Sequence, residues 1–161
     1  MNRYKYGGLD TPGLYLDETT LRTCYYHRRL FAQLAKELIK QGDHVRARKV
    51  LTYAEQAVPA YNVPEIYESG SFDIATAYAA LGEKTKAVTL FNHLIAESED
   101  YINWAFSLGN GRTGMMQNDC LYKFWQWNAY NERMKEIDKE SYEASNRRFE
   151  DCLLYTSDAA D

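Results

Sequence analysis

Apolar residues recur at helical spacing along the middle of the chain, and the whole pattern occurs twice. Residues 28–59 align with residues 68–99 at an offset of 40 positions. Within each copy, apolar residues three and four positions apart form two stripes, which is the pattern of two amphipathic helices. A glycine separates the stripes, Gly42 in the first copy and Gly82 in the second. Because glycine readily takes the left-handed conformation that ends a helix, the pattern predicts an all-α fold built from antiparallel helix hairpins.

The two copies carry related residues at equivalent positions. The matched pairs are Ala35 and Ala75, Leu38 and Tyr78, Gly42 and Gly82, Ala47 and Ala87, and Leu51 and Phe91. An alanine lets two helices approach closely, whereas a larger side chain keeps them apart. We therefore expect the helices of each hairpin to cross at the matched alanines.

These positions resemble the tetratricopeptide repeat. Its 34-residue pattern has a bulky residue, Leu, a small residue, an aromatic, Gly, Ala, an aromatic, Ala and Pro in fixed order. The first copy matches at Phe31, Leu34, Ala35, Leu38, Gly42, Ala47, Leu51, Ala54 and Pro59, and the second at Ile74, Ala75, Tyr78, Gly82, Ala87 and Phe91. The second copy departs from the pattern at Ser71, Leu94 and Glu99. The resemblance implies a right-handed solenoid of hairpins with flanking capping helices.

The patterns divide the chain into segments. Residues 1–27 form an N-terminal loop and a leading helix, with Asp17 as its predicted N-cap. The first unit spans residues 28–61 and the second spans 68–101. The offset of 40 positions, longer than the repeat, leaves an inserted loop at 62–67 between them, near Pro59 and Pro64.

Residues 102–151 are predicted to be capping helices. Residues 100–108 have the pattern of a short further helix, and the glycine-rich segment 109–114 predicts a break. One apolar stripe follows, formed by Phe124, Trp127, Tyr130, Met134 and Ile137. The stripe predicts a single long helix whose far end, residues 132–150, becomes polar, as expected at the end of a stack of repeats.

The last ten residues, 152–161, resemble the translation of a transposase-type sequencing adapter. The resemblance extends over every position from Cys152 to Asp161. It implies a non-native tail and a native part of residues 1–151, and removing Asp158 and Asp161 changes the formal charge from −4 to −2. We accordingly expect the native protein to continue beyond both ends, with Met1 an internal methionine.

Composition excludes several classes of protein. The chain has 161 residues, of which 45% are hydrophobic and 26% charged, as in an ordinary globular domain. A formal charge of −4 gives no general reason to expect nucleic-acid binding. The longest stretch without a charged residue runs only from Tyr101 to Gly111, too short for a membrane helix of about 20 apolar residues.

Candidate chemistry is sparse. Residues 109–114 fit the glycine pattern of a dinucleotide site, but predicted helices lie on both sides, so we interpret them as a glycine-rich connection. Cys24 and His27 share a helix face, where a packed cysteine beside a surface histidine is favoured over two metal ligands. Arg112 near a helix start could hold an anion. We predict no catalytic residue, cofactor or metal.

The first helix of each repeat builds the concave face of tetratricopeptide arrays. By that resemblance the groove would contain Arg29, Ala32, Lys36, Ile39 and Lys40 from the first unit, and Ser69, Phe72, Thr76, Ala79 and Ala80 from the second. Three cations beside an apolar wall would fit an acidic, partly apolar peptide or a neighbouring domain. The alternative is an ordinary solvated basic face. For the aromatics Trp125, Trp127 and Tyr78, we favour packing between helices over an aromatic-lined groove.

A second resemblance covers residues 1 to about 100. It rests on residues 4–9, residues 15–18, Arg22, residues 29–31 and residues 34–35. These are similar to the soluble C-terminal part of a bacterial family of multi-spanning membrane proteins of unknown function, related to protein O-mannosyltransferases. The resemblance implies a segment at the periplasmic face of the inner membrane that lacks the parent's catalytic region.

Three functions follow from these patterns. The first is a non-catalytic interaction or scaffold segment of a membrane glycosyltransferase-like protein. The second is a self-contained tetratricopeptide adaptor, then cytoplasmic, that binds a peptide or protein in its groove. The third is a small enzyme, which requires polar groups to converge in a deep pocket around Cys24, His27 or Arg112.

Overall fold

The computed structural model describes residues 7–109 and 114–158, which contain six α-helices and no strand. The helices are α1 (Glu18–Lys40), α2 (His44–Ala57), α3 (Ser71–Ala80), α4 (Lys84–Ser107), α5 (Gln117–Ile137) and α6 (Lys139–Asp158). Short 3₁₀ helices at Tyr67–Ser69 and Gly114–Met116 precede α3 and α5. The predicted all-α class is confirmed. No helix in these ranges is long and apolar enough to cross a membrane.

The chain divides into two compact units, Met1–Glu83 and Lys84–Asp161. The first unit contains α1, α2 and α3, and the second contains α4, α5 and α6. The second predicted hairpin is therefore shared, because its first helix lies in one unit and its second helix in the other. The right-handed solenoid stays a prediction.

Helix α1 begins where the sequence predicts it. The Asp17 carboxylate accepts hydrogen bonds from the backbone N–H groups of Thr19 and Thr20 at 2.9 and 3.1 Å. The Thr20 hydroxyl also donates to this carboxylate, and these bonds lower the pKa of Asp17. The helix then continues to Lys40, so one continuous helix spans the expected boundary between a leading helix and the first repeat. No glycine or proline between Glu18 and Lys40 interrupts it.

Glycine ends α1 as the sequence predicts. Gly42 has a φ of +77°, in the left-handed region. The N–H of Gly42 donates to the carbonyl of Ile39, and the N–H of Asp43 donates to that of Leu38, both at 2.9 Å. Gly82, with the same φ, is followed by equivalent bonds at the end of α3. These paired bonds satisfy carbonyls that a helix end otherwise leaves open.

Most repeat positions are buried. The buried ones are Ala35, Leu38, Ala47, Leu51, Ala54, Pro59, Ile74, Ala75, Tyr78, Ala87 and Phe91. Leu34 is an exception and is 43% exposed. It follows Tyr26 and Leu30 at intervals of four on the outer face of α1, and both of these are exposed too. Leu34 therefore lies on the outside of the helix and not in the core.

The helix boundaries of the second unit differ from the predicted ones on both sides of the glycine-rich segment 109–114. Helix α4 is continuous from Lys84 to Ser107, so the predicted separate helix at 100–108 is its last part. The single long capping helix is instead two helices, because α5 ends at Ile137. Asp138 adopts extended backbone, with φ −150° and ψ 100°. Its carboxylate accepts the Ser141 hydroxyl at 2.6 Å in the first turn of α6, and this bond lowers the pKa of Asp138.

Helix α6 packs back on α5 through polar and aromatic contacts. The Trp127 indole N–H donates to the Ser145 hydroxyl oxygen at 2.8 Å. The Ser145 hydroxyl donates to the Asn131 side-chain oxygen at 2.6 Å, and all three residues are buried. The Phe149 ring makes T-shaped contacts with the Phe124 and Trp127 rings, with ring centroids 5.8 and 5.4 Å apart. Part of the supposed solvent face at 132–150 is thus an interior surface.

The predicted apolar stripe of α5 is buried at four of its five positions, Phe124, Trp127, Tyr130 and Met134, and half-buried at the fifth, Ile137. Tyr78 is also buried, as expected. Trp125 is 52% exposed and stacks on Tyr122, with ring centroids 5.7 Å apart. The prediction that Trp125 fills a gap between helices is wrong, because it lies two positions from Trp127 and so points to another side of the helix.

The predicted non-native tail does not begin with a structural break. Helix α6 continues through residue 152 to Asp158. Leucine favours helices, and residues 152–158 include neither glycine nor proline, so the helix has no local reason to end at Asp151. The adapter origin of residues 152–161 stays a prediction.

Overpacking at the matched alanines tests the repeat register. Ala47 and Ala87 have no exposed surface. We expect Ala47→Leu and Ala87→Leu each to lower the free energy of unfolding by about 1–3 kcal/mol, because a close-packed site has no space for added methyl groups. Ala144→Leu, on an exposed face of α6, is the matched control. Unchanged melting temperatures for both core variants would contradict the proposed register.

Candidate functional site

A buried arginine organises the first unit. Arg28 lies in the middle of α1 and is only 3% exposed. Its guanidinium donates to the carbonyls of Val58, Val63 and Pro64, each at 2.8 Å. It also donates to the Ser69 hydroxyl oxygen at 3.1 Å. Four acceptors from the segment between α2 and α3 thus converge on one side chain.

These bonds offset the cost of burying the charge. Burial lowers the pKa of Arg28, whereas the negative charge of Glu65 raises it. A guanidinium has five N–H donors in a fixed planar array, so it can hold several carbonyls at once. The segment between α2 and α3 is consequently fixed in shape, although its regular structure is limited to the short 3₁₀ helix at Tyr67–Ser69.

The same loop also holds the N-terminal segment. The Asn62 side-chain amide donates to the carbonyls of Leu9 and Thr11 at 2.8 and 2.7 Å. The Tyr61 hydroxyl donates to the Asp10 carbonyl at 2.9 Å. Leu9, Cys24, Val58 and Val63 form a small buried cluster beneath these bonds. The predicted inserted loop at 62–67 is therefore a structural centre of the first unit.

Helix α3 starts where α1 comes close. Gly70 has a φ of +82°, and a Cβ added there would lie 2.6 Å from Cγ of Arg29 and 3.1 Å from its Cα. Glycine is therefore required twice, by the backbone conformation and by the space available. This contact sets the beginning of α3 beside the middle of α1.

Contacts with α2 fix the remainder of α3. The Tyr78 hydroxyl donates to the Glu55 carboxylate. The burial of Tyr78 and, to a smaller extent, this hydrogen bond raise its pKa. Arg48 donates to the carbonyl of Leu81 at 2.8 Å and pairs with Glu83 at 3.0 Å. These contacts occur in reverse order along the two helices, so α2 runs antiparallel to α3, and α3 also packs against α1.

The predicted groove residues of α1 lie on one face. Arg29, Lys36 and Lys40 are exposed, and Ile39 is half-buried. Lys36 follows Arg29 by seven residues, and Ile39 and Lys40 follow Lys36 by three and four, so the positions share one side of the helix. Lys40 pairs with Glu37 at 2.6 Å, whereas Arg29 and Lys36 take part in no ion pair within the described part of the chain. Two uncompensated cations therefore face solvent beside α3.

Helix α3 contributes less than expected. Phe72 and Thr76 are half-buried, Ala79 is half-buried and Ala80 is exposed. The Phe72 ring packs on Tyr67, with centroids 5.7 Å apart, and the Thr76 hydroxyl donates to the Phe72 carbonyl at 2.9 Å. The prediction that Ala32 and Ser69 line the groove is wrong, because these residues are only 1% and 0% exposed. Ala32 packs inside the unit, and Ser69 is used by Arg28.

The other candidate residues form no constellation. Cys24 is buried, and burial raises the pKa of its thiol, which disfavours the thiolate that a metal needs. His27 is half-buried with its ring against Tyr26. No group of three or more His, Cys, Asp or Glu side chains in the described ranges could hold a metal ion. Residues 110–113 of the glycine-rich segment, including Arg112, lie outside the described residues.

Comparison with known proteins adds no identification. No protein-family model, curated protein or solved structure matches the chain.

Removing the Arg28 guanidinium tests its organising role. We expect Arg28→Met to lower the free energy of unfolding by about 3–5 kcal/mol in urea denaturation followed by circular dichroism, because several buried acceptors lose their donor. Arg22→Met is the control on the same helix, since Arg22 forms an exposed pair with Glu18 and no other ion pair with the residues that the structure describes. Its expected cost is under about 1 kcal/mol. Equal costs would contradict the role of Arg28.

Alanine substitutions at two glycines with positive φ distinguish the cost of backbone strain from the cost of a steric clash. Gly42 and Gly70 have similar φ values, but a Cβ at Gly42 meets nothing within 4 Å. We expect Gly42→Ala to cost about 1–2 kcal/mol from backbone strain alone. Gly70→Ala should cost at least about 1 kcal/mol more, because the methyl group overlaps Arg29. Equal shifts in the urea midpoint would exclude the close approach of α1 and α3.

Proposed function

We propose that the chain is a non-catalytic protein-interaction segment whose first unit binds an acidic, partly apolar peptide. The binding surface consists of Arg29, Lys36, Ile39 and Lys40 on α1 with Phe72 and Thr76 on α3, and we call it the α1/α3 surface. The observation that carries the proposal is the pair of exposed, uncompensated cations, Arg29 and Lys36, beside two half-buried apolar side chains.

The rigidity of the surface supports binding. Arg28 fixes the loop that leads into α3, and Gly70 sets the position of α3 against Arg29. A surface that is ordered before binding loses little conformational entropy when a partner docks. Cations on ordered helices suit a partner whose carboxylates follow one another along an extended or helical segment.

The expected strength is moderate. An exposed ion pair contributes about 0.2–1 kcal/mol, so three cations alone cannot hold a peptide tightly. Ile39 and Phe72 expose only part of their apolar surface. Together these contributions favour a dissociation constant of about 1–100 μM at physiological salt. Such an affinity suits a scaffold that brings a neighbouring domain or a second protein into place.

We place this segment in a larger membrane protein on the basis of the resemblance described for residues 1–100. The ligand is then another domain of the same chain or a partner near the membrane. A self-contained adaptor is the alternative, and it makes the same use of the α1/α3 surface. The genomic DNA upstream of Met1 distinguishes them, because an open reading frame with hydrophobic spans supports the membrane parent and an adjacent ribosome-binding site supports the adaptor.

Charge reversal on α1 tests the binding proposal. The probe is an array of fluorescein-labelled twelve-residue peptides rich in Asp and Glu, each with one Phe or Leu. We expect selected array members to bind the chain, and the triple variant Arg29→Glu, Lys36→Glu and Lys40→Glu to bind them at least about tenfold more weakly. Raising the ionic strength should also weaken peptide binding by the unsubstituted chain, because salt screens exposed charges.

The matched control reverses three exposed cations on other helices: Lys49 on α2, Arg133 on α5 and Lys139 on α6. It carries the same change in net charge, so it should retain binding if the α1/α3 surface is the site. Circular dichroism confirms that both triple variants remain folded. Equal weakening of both variants would reduce the effect to net charge, and no binding by the parent would reject the proposal.

A further inference from the structure

A shallow, open surface lies along one face of α4 in the second unit. It is lined by His93, Ala96, Glu97, Asp100, Tyr101 and Trp104, and we call it the α4 cleft. These positions follow one another at alternating intervals of three and one, so they form one continuous face of the helix. The space in front of this face measures about 560 Å³ and is largely open to solvent.

One end of the cleft is electrostatically complete. The Lys123 ammonium donates to both carboxylate oxygens of Glu97 at 2.8 Å, with the lysine side chain only 12% exposed. The same ammonium lies 5.6 Å from the centroid of the Tyr101 ring. The Tyr101 hydroxyl in turn contacts the Asp119 carboxylate at 3.3 Å. Glu97 and one face of Tyr101 are thus already occupied by a cation.

The other end of the cleft is incomplete. Asp100 is exposed and takes part in no ion pair among residues 7–109 and 114–158. Trp104 follows it by four residues and is 48% exposed, although its ring also packs on Tyr101 with centroids 5.5 Å apart. On a helix, positions four apart place their Cβ atoms about 5–6 Å from each other. A carboxylate and an aromatic ring therefore stand side by side and open to solvent.

We propose that the α4 cleft binds an arginine side chain of a partner protein. A guanidinium is planar, so it can stack on the Trp104 ring while its N–H groups donate to the Asp100 carboxylate. The attraction of a cation to an indole face adds to the ion pair. Lysine offers a compact ammonium without a planar face, so it can use the carboxylate but not the stacking surface.

The existing Lys123 arrangement is an internal precedent for this chemistry. In that arrangement a cation lies between a carboxylate and an aromatic ring of α4, Glu97 and Tyr101. Asp100 and Trp104 present the same pair of groups one turn farther along the helix, without a cation of their own in the described part of the chain. The inference is independent of the α1/α3 surface, which belongs to the first unit and attracts the opposite charge.

A titration of the full chain with N-acetyl-arginine amide tests the proposal. The three tryptophan indole N–H groups give separate signals in a ¹H–¹⁵N correlation spectrum, and Trp104→Phe identifies the signal of Trp104. We expect this signal to shift saturably, with a dissociation constant of about 1–30 mM at low salt, while the buried Trp127 signal stays in place. N-acetyl-citrulline amide has the same shape without the charge, so it should cause no saturable shift.

Two variants locate the ligand. Asp100→Asn should weaken arginine binding by about threefold, because it removes the ion pair and leaves the ring. Glu140→Gln, on an exposed position of α6, changes the net charge equally and should leave binding unchanged. The lysine analogue should bind more weakly than arginine. Equal binding of citrulline or lysine, unchanged affinity in Asp100→Asn, or no movement of the Trp104 signal would each overturn the assignment.

Discussion

The first unit depends on one constraint: the buried guanidinium of Arg28 must donate its hydrogen bonds to oxygen atoms of the protein itself. Val58, Val63, Pro64 and Ser69 supply them. A charge this deep is tolerated only when it is closely hydrogen-bonded, so the segment between α2 and α3 has little freedom in where its carbonyls lie. Two consequences follow: the segment has a defined shape with only a short 3₁₀ helix as regular structure, and α3 begins at a fixed place against α1.

The second unit places polar groups inside by a different arrangement. Trp127, Ser145 and Asn131 form a neutral chain of hydrogen bonds between α5 and α6. No net charge is buried there, so the arrangement needs only matching donors and acceptors. Asp138 determines where the chain reverses, because its extended backbone ends α5 and its carboxylate caps α6. A buried polar chain and an exposed cap together produce a helix pair that hydrophobic spacing alone does not reveal.

Local signals were sufficient for the parts of the fold that local chemistry decides. Gly42 and Gly82 end helices because the required conformation depends on a few neighbouring residues, and Asp17 caps α1 for the same reason. Arg28 carried a signal that was overlooked, since it falls between Cys24 and Ala32 on the buried face of α1. A charged residue at such a position indicates a buried polar network. Its acceptors could not be identified, because they lie 30 to 41 positions away.

For the candidate surface, spacing predicted which α1 side chains share a face, but it could not predict burial on α3. Spacing also could not predict that Ser145 is buried, because its partners Trp127 and Asn131 lie on the neighbouring helix. The hydrogen bonds of Arg28 have a further meaning for dynamics. If the loop opened alone, it would leave a charge stranded in a dry interior, so α1 and the loop have no low-energy way to open separately. They constitute a single cooperative folding element, assembled across a gap in sequence rather than along it.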